Sequence, residues 1–195
     1  VQASVTAENA LPKNARQTGE LGLALFTNRN YQMGIHIQNE GAAMPVLRAD
    51  THAFPDATAG NPREPWWISE AASLTQFGAN VETLLPGERS SVFHWHSAED
   101  EVVYILEGAV TLREGQQTTL LQAGDAAAFR AGVPVGHCLE NRSVLPVRFL
   151  TVGTRAPKDT ITYPEINRVC HRDRSLPEDV WTDLSGNPAA CPFDA

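Results

Sequence analysis

Between Phe77 and Val152 the chain is broken into short apolar runs by Gly, Pro, Asn or Ser every eight to twelve residues, which leaves no span for a helix of ordinary length. The runs are Phe77–Leu85, Ser91–His96, Glu101–Leu106, Ala109–Arg113, Thr118–Leu121, Ala126–Phe129, His137–Glu140 and Pro146–Val152. The connections Pro86-Gly87-Glu88, Glu107-Gly108, Glu114-Gly115-Gln116, Ala123-Gly124-Asp125 and Asn141-Arg142-Ser143 carry turn chemistry. About eight strands at this spacing predict an all-β, antiparallel sandwich or small barrel.

The flanks read differently. Residues 1–20 are small and polar, Leu21 to Phe26 fits a short strand, and four prolines between Asn39 and Trp67 forbid long helices. Trp66 and Trp67 read as an anchor against the core. After Thr154 the chain is again polar and proline-rich, with isolated Tyr163, Trp181 and Phe193. The expected organisation is a wrapping arm over 1–70, a barrel over 71–155, and an irregular C-terminal arm over 156–195.

Charge narrows the function classes. Fifteen basic residues against 23 acidic ones give a formal charge of −8, and only two of the basic residues are lysines. No basic stripe forms to track phosphates, so no nucleic-acid partner is expected. No run approaches the length of a spanning helix, so no membrane partner is expected. Three cysteines without zinc-ribbon or CxxC spacing suit a reducing, cytoplasmic setting, although Cys170 and Cys191 could pair in an oxidising one.

Chemistry gathers in two stretches. His94 and His96 are two apart, so on a strand they project from one face, and a turn over Ser97 to Asp100 brings Glu101 onto the neighbouring strand. His137 lies on a later strand bounded by glycines. Three imidazoles and a carboxylate suit Zn, Mn, Fe, Co or Ni. By alternation Cys138, Trp95 and Tyr104 fall out of phase with this set. Glu99 and Asp100 read as solvated turn acids, and His36, His52 and His171 stand alone in loops.

The same two stretches resemble the paired motifs of the cupin superfamily. Gly87, His94, His96, Glu101 and Gly108 follow the first motif, and Gly124, Gly132, His137 and Asn141 follow the second. Six residues separate Gly87 from His94, four separate Gly132 from His137, and Arg130 stands where the pattern has proline. The wording of residues 93–101, 131–137 and 151–155 with Tyr163-Pro164 is most similar to bacterial single-domain cupins labelled sugar-phosphate-isomerase-like. The resemblance spans roughly 75–167 and implies a cupin-type antiparallel β-barrel or jelly roll. It further implies a homodimer, and His94, His96, Glu101 and His137 as ligands to one divalent metal ion.

The function expected from this is a metal-dependent enzyme that isomerises a small, sugar-like carbonyl or hydroxylated substrate. A non-haem metal dioxygenase and a non-catalytic metal- or ligand-binding protein are the alternatives. Arg130 and Arg148 are candidates for an anionic substrate group because a guanidinium presents a bidentate fork. Asn141, in phase with His137, is a third substrate-side candidate or a turn cap. No residue is singled out as the general acid or base.

Overall fold

The computed structural model describes residues 46–47 and 65–193. The expected strand at Leu21 to Phe26 and most of the expected N-terminal arm lie outside the described residues. Among the described residues, regular structure begins with β1 (Trp66–Trp67), a single helical turn α1 (Ile68–Ala71) and β2 (Phe77–Leu84). The next strands are β3 (Trp95–His96), β4 (Glu101–Glu107), β5 (Ala109–Glu114), β6 (Gln117–Gln122), β7 (Ala126–Phe129), β8 (His137–Glu140) and β9 (Val147–Thr154). Last come β10 (Lys158–Tyr163), a 3-10 turn over Pro164–Ile166, β11 (Arg168–Asp173) and β12 (Val180–Thr182).

Every strand pairing is antiparallel. One sheet has the order β1-β2-β9-β4-β7, a second β6-β5-β8, and a third β12-β11-β10-β3. The segment before β3 bridges the second and third sheets, because His94 and His137 exchange backbone bonds of 3.2 and 2.8 Å. The large sheet therefore faces a composite wall, and the fold is the antiparallel barrel expected from the strand spacing.

Alternation puts Leu84 of β2, Val103 and Ile105 of β4, and Val147 and Phe149 of β9 on the inner face, where Val110, Leu112, Leu121 and Leu139 meet them. Fully burying such a side chain contributes roughly 1.5–3 kcal/mol. Gly108 closes the β4–β5 turn at φ +82, and a Cβ there would sit 2.9 Å from the Pro146 carbonyl oxygen. Only glycine meets both demands.

Two local readings differ from the structure. The run Ser91–His96 is regular only at Trp95–His96, since residues 91–93 bend and the His94 ring turns back to the Val92 carbonyl. The segment after 155, expected as an irregular arm, holds β10, β11 and β12. Asp159, Ile161 and Tyr163 are its inward positions, so a carboxylate stands where an apolar residue would have advertised the period. Trp66 and Trp67 pair with Val81 and Asn80 at the edge of the large sheet, with Trp67 partly exposed.

Candidate metal centre

His94, His96 and Glu101 each bring one ligand atom within 4.8 Å of the others. The backbone bridge places His137 against His94, with ring centroids 4.9 Å apart. Nε2 of His137 lies 3.5 Å from Oε1 of Glu101. No hydrogen bond forms between them, and both ring nitrogens of His137 are buried without a hydrogen-bond partner. A cavity lined by Ser91, His94, Glu101, Phe129, His137 and Thr151 opens onto this group. In the large sheet the row running out from Glu101 is Gly153 and then Gly78, where a Cβ would lie 3.5 Å from Nε of Arg155.

Each ring is held differently. Nδ1 of His94 donates to the Val92 carbonyl at 2.8 Å, with Ser91 Oγ at 3.2 Å, and its face lies on Tyr163 at 5.6 Å. Nδ1 of His96 lies 2.6 Å from Oδ2 of Asp159. Both arrangements leave Nε2 as the lone-pair nitrogen, the form that binds metals. His137 is oriented by stacking on Phe129, with centroids 3.6 Å apart and planes 1° from parallel.

The electrostatics suit the same use. Burial, with His137 and His96 alongside, pushes His94 down to about 3, so its imidazole is neutral across ordinary pH. Burial alone would raise the Glu101 carboxyl, but the neighbouring His137, His94 and His96 hold it below its ordinary value. For Asp159, burial is likewise outweighed, chiefly by His96 and then by Ala98 and Ser97, and the carboxyl is held down at about 2. A donor set of buried His94 and His137 and half-buried His96 and Glu101, with the His137 nitrogens unpartnered, fits a divalent ion of the N/O-loving kind.

A second grouping, His96, Glu99 and Asp159, also falls within 4.8 Å. Its carboxylates are already engaged. Glu99 accepts from Arg174 Nη2 at 2.7 Å and from Ala156 N at 2.9 Å, so the turn acid expected to be solvated is a buried anchor. Asp159 accepts from Ser97 and Ala98 as well as His96.

The other sequence candidates are not gathered at this centre. Arg148 alternates away from inward-facing Val147 and Phe149 and pairs with Glu107 at 3.0 Å. Asn141 is fully buried, donates to the carbonyls of Leu84 and Leu145, and accepts from Ser143, which makes it the clasp of a turn. Arg130 is exposed, immediately after Phe129. All three cysteines are free thiols.

Asn80 and Glu82 were not singled out by sequence. They share the inner face of β2 with Leu84, and Nδ2 of Asn80 donates to Oε1 of Glu82 at 2.7 Å. Burial pushes the Glu82 carboxyl up to about 7, partly opposed by that bond and reinforced by Glu101. The available signal was a carboxylate two residues before Leu84, in phase with the core. Asp159 was missed because it lies on β10, in the stretch expected as an irregular arm, whereas Tyr163, expected there as an isolated apolar position, stacks on His94.

An antiparallel β-barrel carrying three histidines and a glutamate at its inner wall defines a class of protein by itself, and comparison with known proteins gives it a family. Residues 80–153 match the sequence profile described as Cupin domain. A sugar phosphate isomerase of the cupin superfamily from Silicibacter pomeroyi is 35% identical, with a TM-score of 0.65, and the match covers 75% of this chain and 97% of that one. A protein from Acidithiobacillus ferrooxidans, provisionally described as a sugar phosphate isomerase, shares the fold at 24% identity and a TM-score of 0.60, over 66% of this chain and 81% of that one. No protein with a curated description matches the chain. The chain belongs to the cupin superfamily.

Proposed function

We propose that this cupin is a metal-dependent enzyme that isomerises a small hydroxylated carbonyl compound of sugar-like size. The observation that carries the reading is His137, whose two buried nitrogens lack partners while its Nε2 faces Glu101. Its 35% identity to a sugar phosphate isomerase supports the substrate class. His94, His96, Glu101 and His137 would hold one divalent ion, which when bound supplies a Lewis acid for carbonyl and hydroxyl oxygens.

The chain's own groups would handle the proton. A base removes the proton from the hydroxyl-bearing carbon and the electron pair moves toward the carbonyl to give an enediolate; the hydroxyl proton passes to the former carbonyl oxygen, and a proton returned to the former carbonyl carbon completes a redox-neutral exchange. Glu82, on the same inner face as Glu101 and pushed up to about 7, is the interior carboxyl suited to gain and lose that proton. Arg130, exposed beside Phe129, would meet an anionic substituent. The exposed Val102 and Tyr104 on the outer face of β4 are where a second copy would pack into a homodimer.

The test is proton exchange in deuterated water over a panel of aldose and ketose phosphates, with metal-free protein and protein loaded with Mn, Fe, Co, Ni or Zn. Metal-dependent deuterium incorporation at the carbon beside the carbonyl, without oxygen consumption, is expected. Turnover only with iron, accompanied by oxygen uptake, would replace this reading with an oxidative one.

A further inference from the structure

We infer that Asp159 is a positioning residue of the metal centre: its carboxylate decides which nitrogen of His96 carries the proton, and so leaves Nε2 as the donor to a divalent ion. The inference rests on the metal reading above and adds to it a strand, β10, that lies beyond the matched profile at 80–153.

The hydrogen bonds around Asp159 admit one pattern. Its side chain is wholly buried. The backbone N–H of Thr160 donates to Ser97 Oγ at 2.8 Å, which leaves the Ser97 proton to donate to Oδ1 of Asp159 at 3.0 Å. The N–H of Ala98 donates to the same Oδ1 at 2.8 Å. A backbone amide cannot reverse its role, so this side of residue 159 must be an acceptor. Oδ2 then faces Nδ1 of His96 at 2.6 Å, also as an acceptor. Nδ1 therefore carries the hydrogen, and Nε2 keeps its lone pair.

An asparagine at 159 inverts this. Its carbonyl oxygen must remain with Ser97 and Ala98, because the reverse rotamer would set an NH2 group against two donors. The amide NH2 then faces Nδ1 of His96 and donates to it, which forces the imidazole proton onto Nε2. An alanine at 159 imposes no tautomer, but it strands the Ser97 and Ala98 donors and leaves a hole. The two substitutions thus separate positioning from packing. For stability, Asp159→Ala is the more damaging. For metal binding, Asp159→Asn is the more damaging although it fills the same space.

The experiment uses the full chain, wild type, D159A and D159N. Histidine 15N NMR of the metal-free proteins at mildly alkaline pH reads the His96 tautomer, Co2+ competition titration reads affinity, and thermal melting of the metal-free proteins reads the packing cost. The expected result is an unprotonated Nε2 in wild type and a protonated one in D159N. Co2+ affinity should fall about 10-fold in D159A and about 100-fold in D159N, the range found for groups that orient metal ligands. Melting temperatures should fall in the opposite order. An unchanged His96 tautomer in D159N, or Co2+ binding in D159N as tight as in D159A, overturns the inference. Failure of wild type itself to bind Co2+ overturns the metal reading instead, while the tautomer in the metal-free proteins still decides the role of Asp159.

Discussion

The imidazole of His137 lies flat on the ring of Phe129, 3.6 Å between centroids, and it is the one histidine of the centre whose orientation owes nothing to a hydrogen bond. His94 is fixed by a carbonyl and His96 by a carboxylate, whereas His137 is fixed by a surface. Aromatic contacts of this kind contribute about 1 kcal/mol. Phe129→Leu keeps an apolar group against the core but removes the ring, so Co2+ affinity should fall roughly fivefold and the melting temperature by roughly 2–4 °C. Competition titration checks this, and an unchanged affinity would show that the stack does not orient the ligand.

Gly136, immediately before β8, sets a tighter constraint. A Cβ there would lie 2.4 Å from Cε1 and 2.7 Å from Cδ1 of Phe93, a buried ring that also carries the Arg113 guanidinium at 4.3 Å from its centroid. Gly136→Ala must displace Phe93, which precedes His94. The expected cost is about 1–3 kcal/mol of stability, with weakened metal binding. Denaturant unfolding and metal titration of the variant check both effects.

Asn141 serves as the opposite control. It bonds Leu84, Leu145 and Ser143 from a fully buried position and touches no proposed ligand. Asn141→Ala should cost about 1–3 kcal/mol by leaving the buried Leu84 carbonyl unmet, while metal content stays at the wild-type level. Lost metal at preserved stability would return Asn141 to the site.

Glu82 makes stability depend on pH with a defined sign. Its folded value near 7 lies above the ordinary 4.5, so the unfolded chain ionises first as pH rises. Whatever the neutral carboxyl contributes is fully present below about 4.5 and is lost as pH climbs to about 7. Glu82→Gln copies the neutral form and removes the penalty. Across that window the variant should gain about 3 kcal/mol on wild type. Parallel unfolding curves of the metal-free proteins at the two ends of the window check it, and a constant difference would contradict it.

The barrel was legible because β4, β5 and β9 alternate and the turns from β4 to β9 carry glycine or asparagine. Nothing in that pattern needs knowledge of distant partners. The His94, His96 and Glu101 grouping was legible from the His-x-His spacing, although only His96 lies on β3 and His94 is placed by its backbone bridge to His137. Asp159 and Glu82 were not, because each is a charged residue at an inward position. An inward carboxylate lowers the apolar periodicity that betrays a strand, and its partners, His96 and Asn80, are set by sheet pairing that spacing cannot reveal. Arg148 and Asn141 illustrate the converse: their side-chain chemistry is apt for substrate, but sheet parity turns one outward and a turn absorbs the other.

The most direct measurement is metal stoichiometry joined to anomalous scattering on crystals of the supplemented protein. One ion per chain is predicted, bounded by Nε2 of His94, His96 and His137 and a carboxylate oxygen of Glu101 at roughly 2.0–2.2 Å. Well under one ion per chain after supplementation, or a His96→Ala protein that keeps its full metal, would contradict the centre described above.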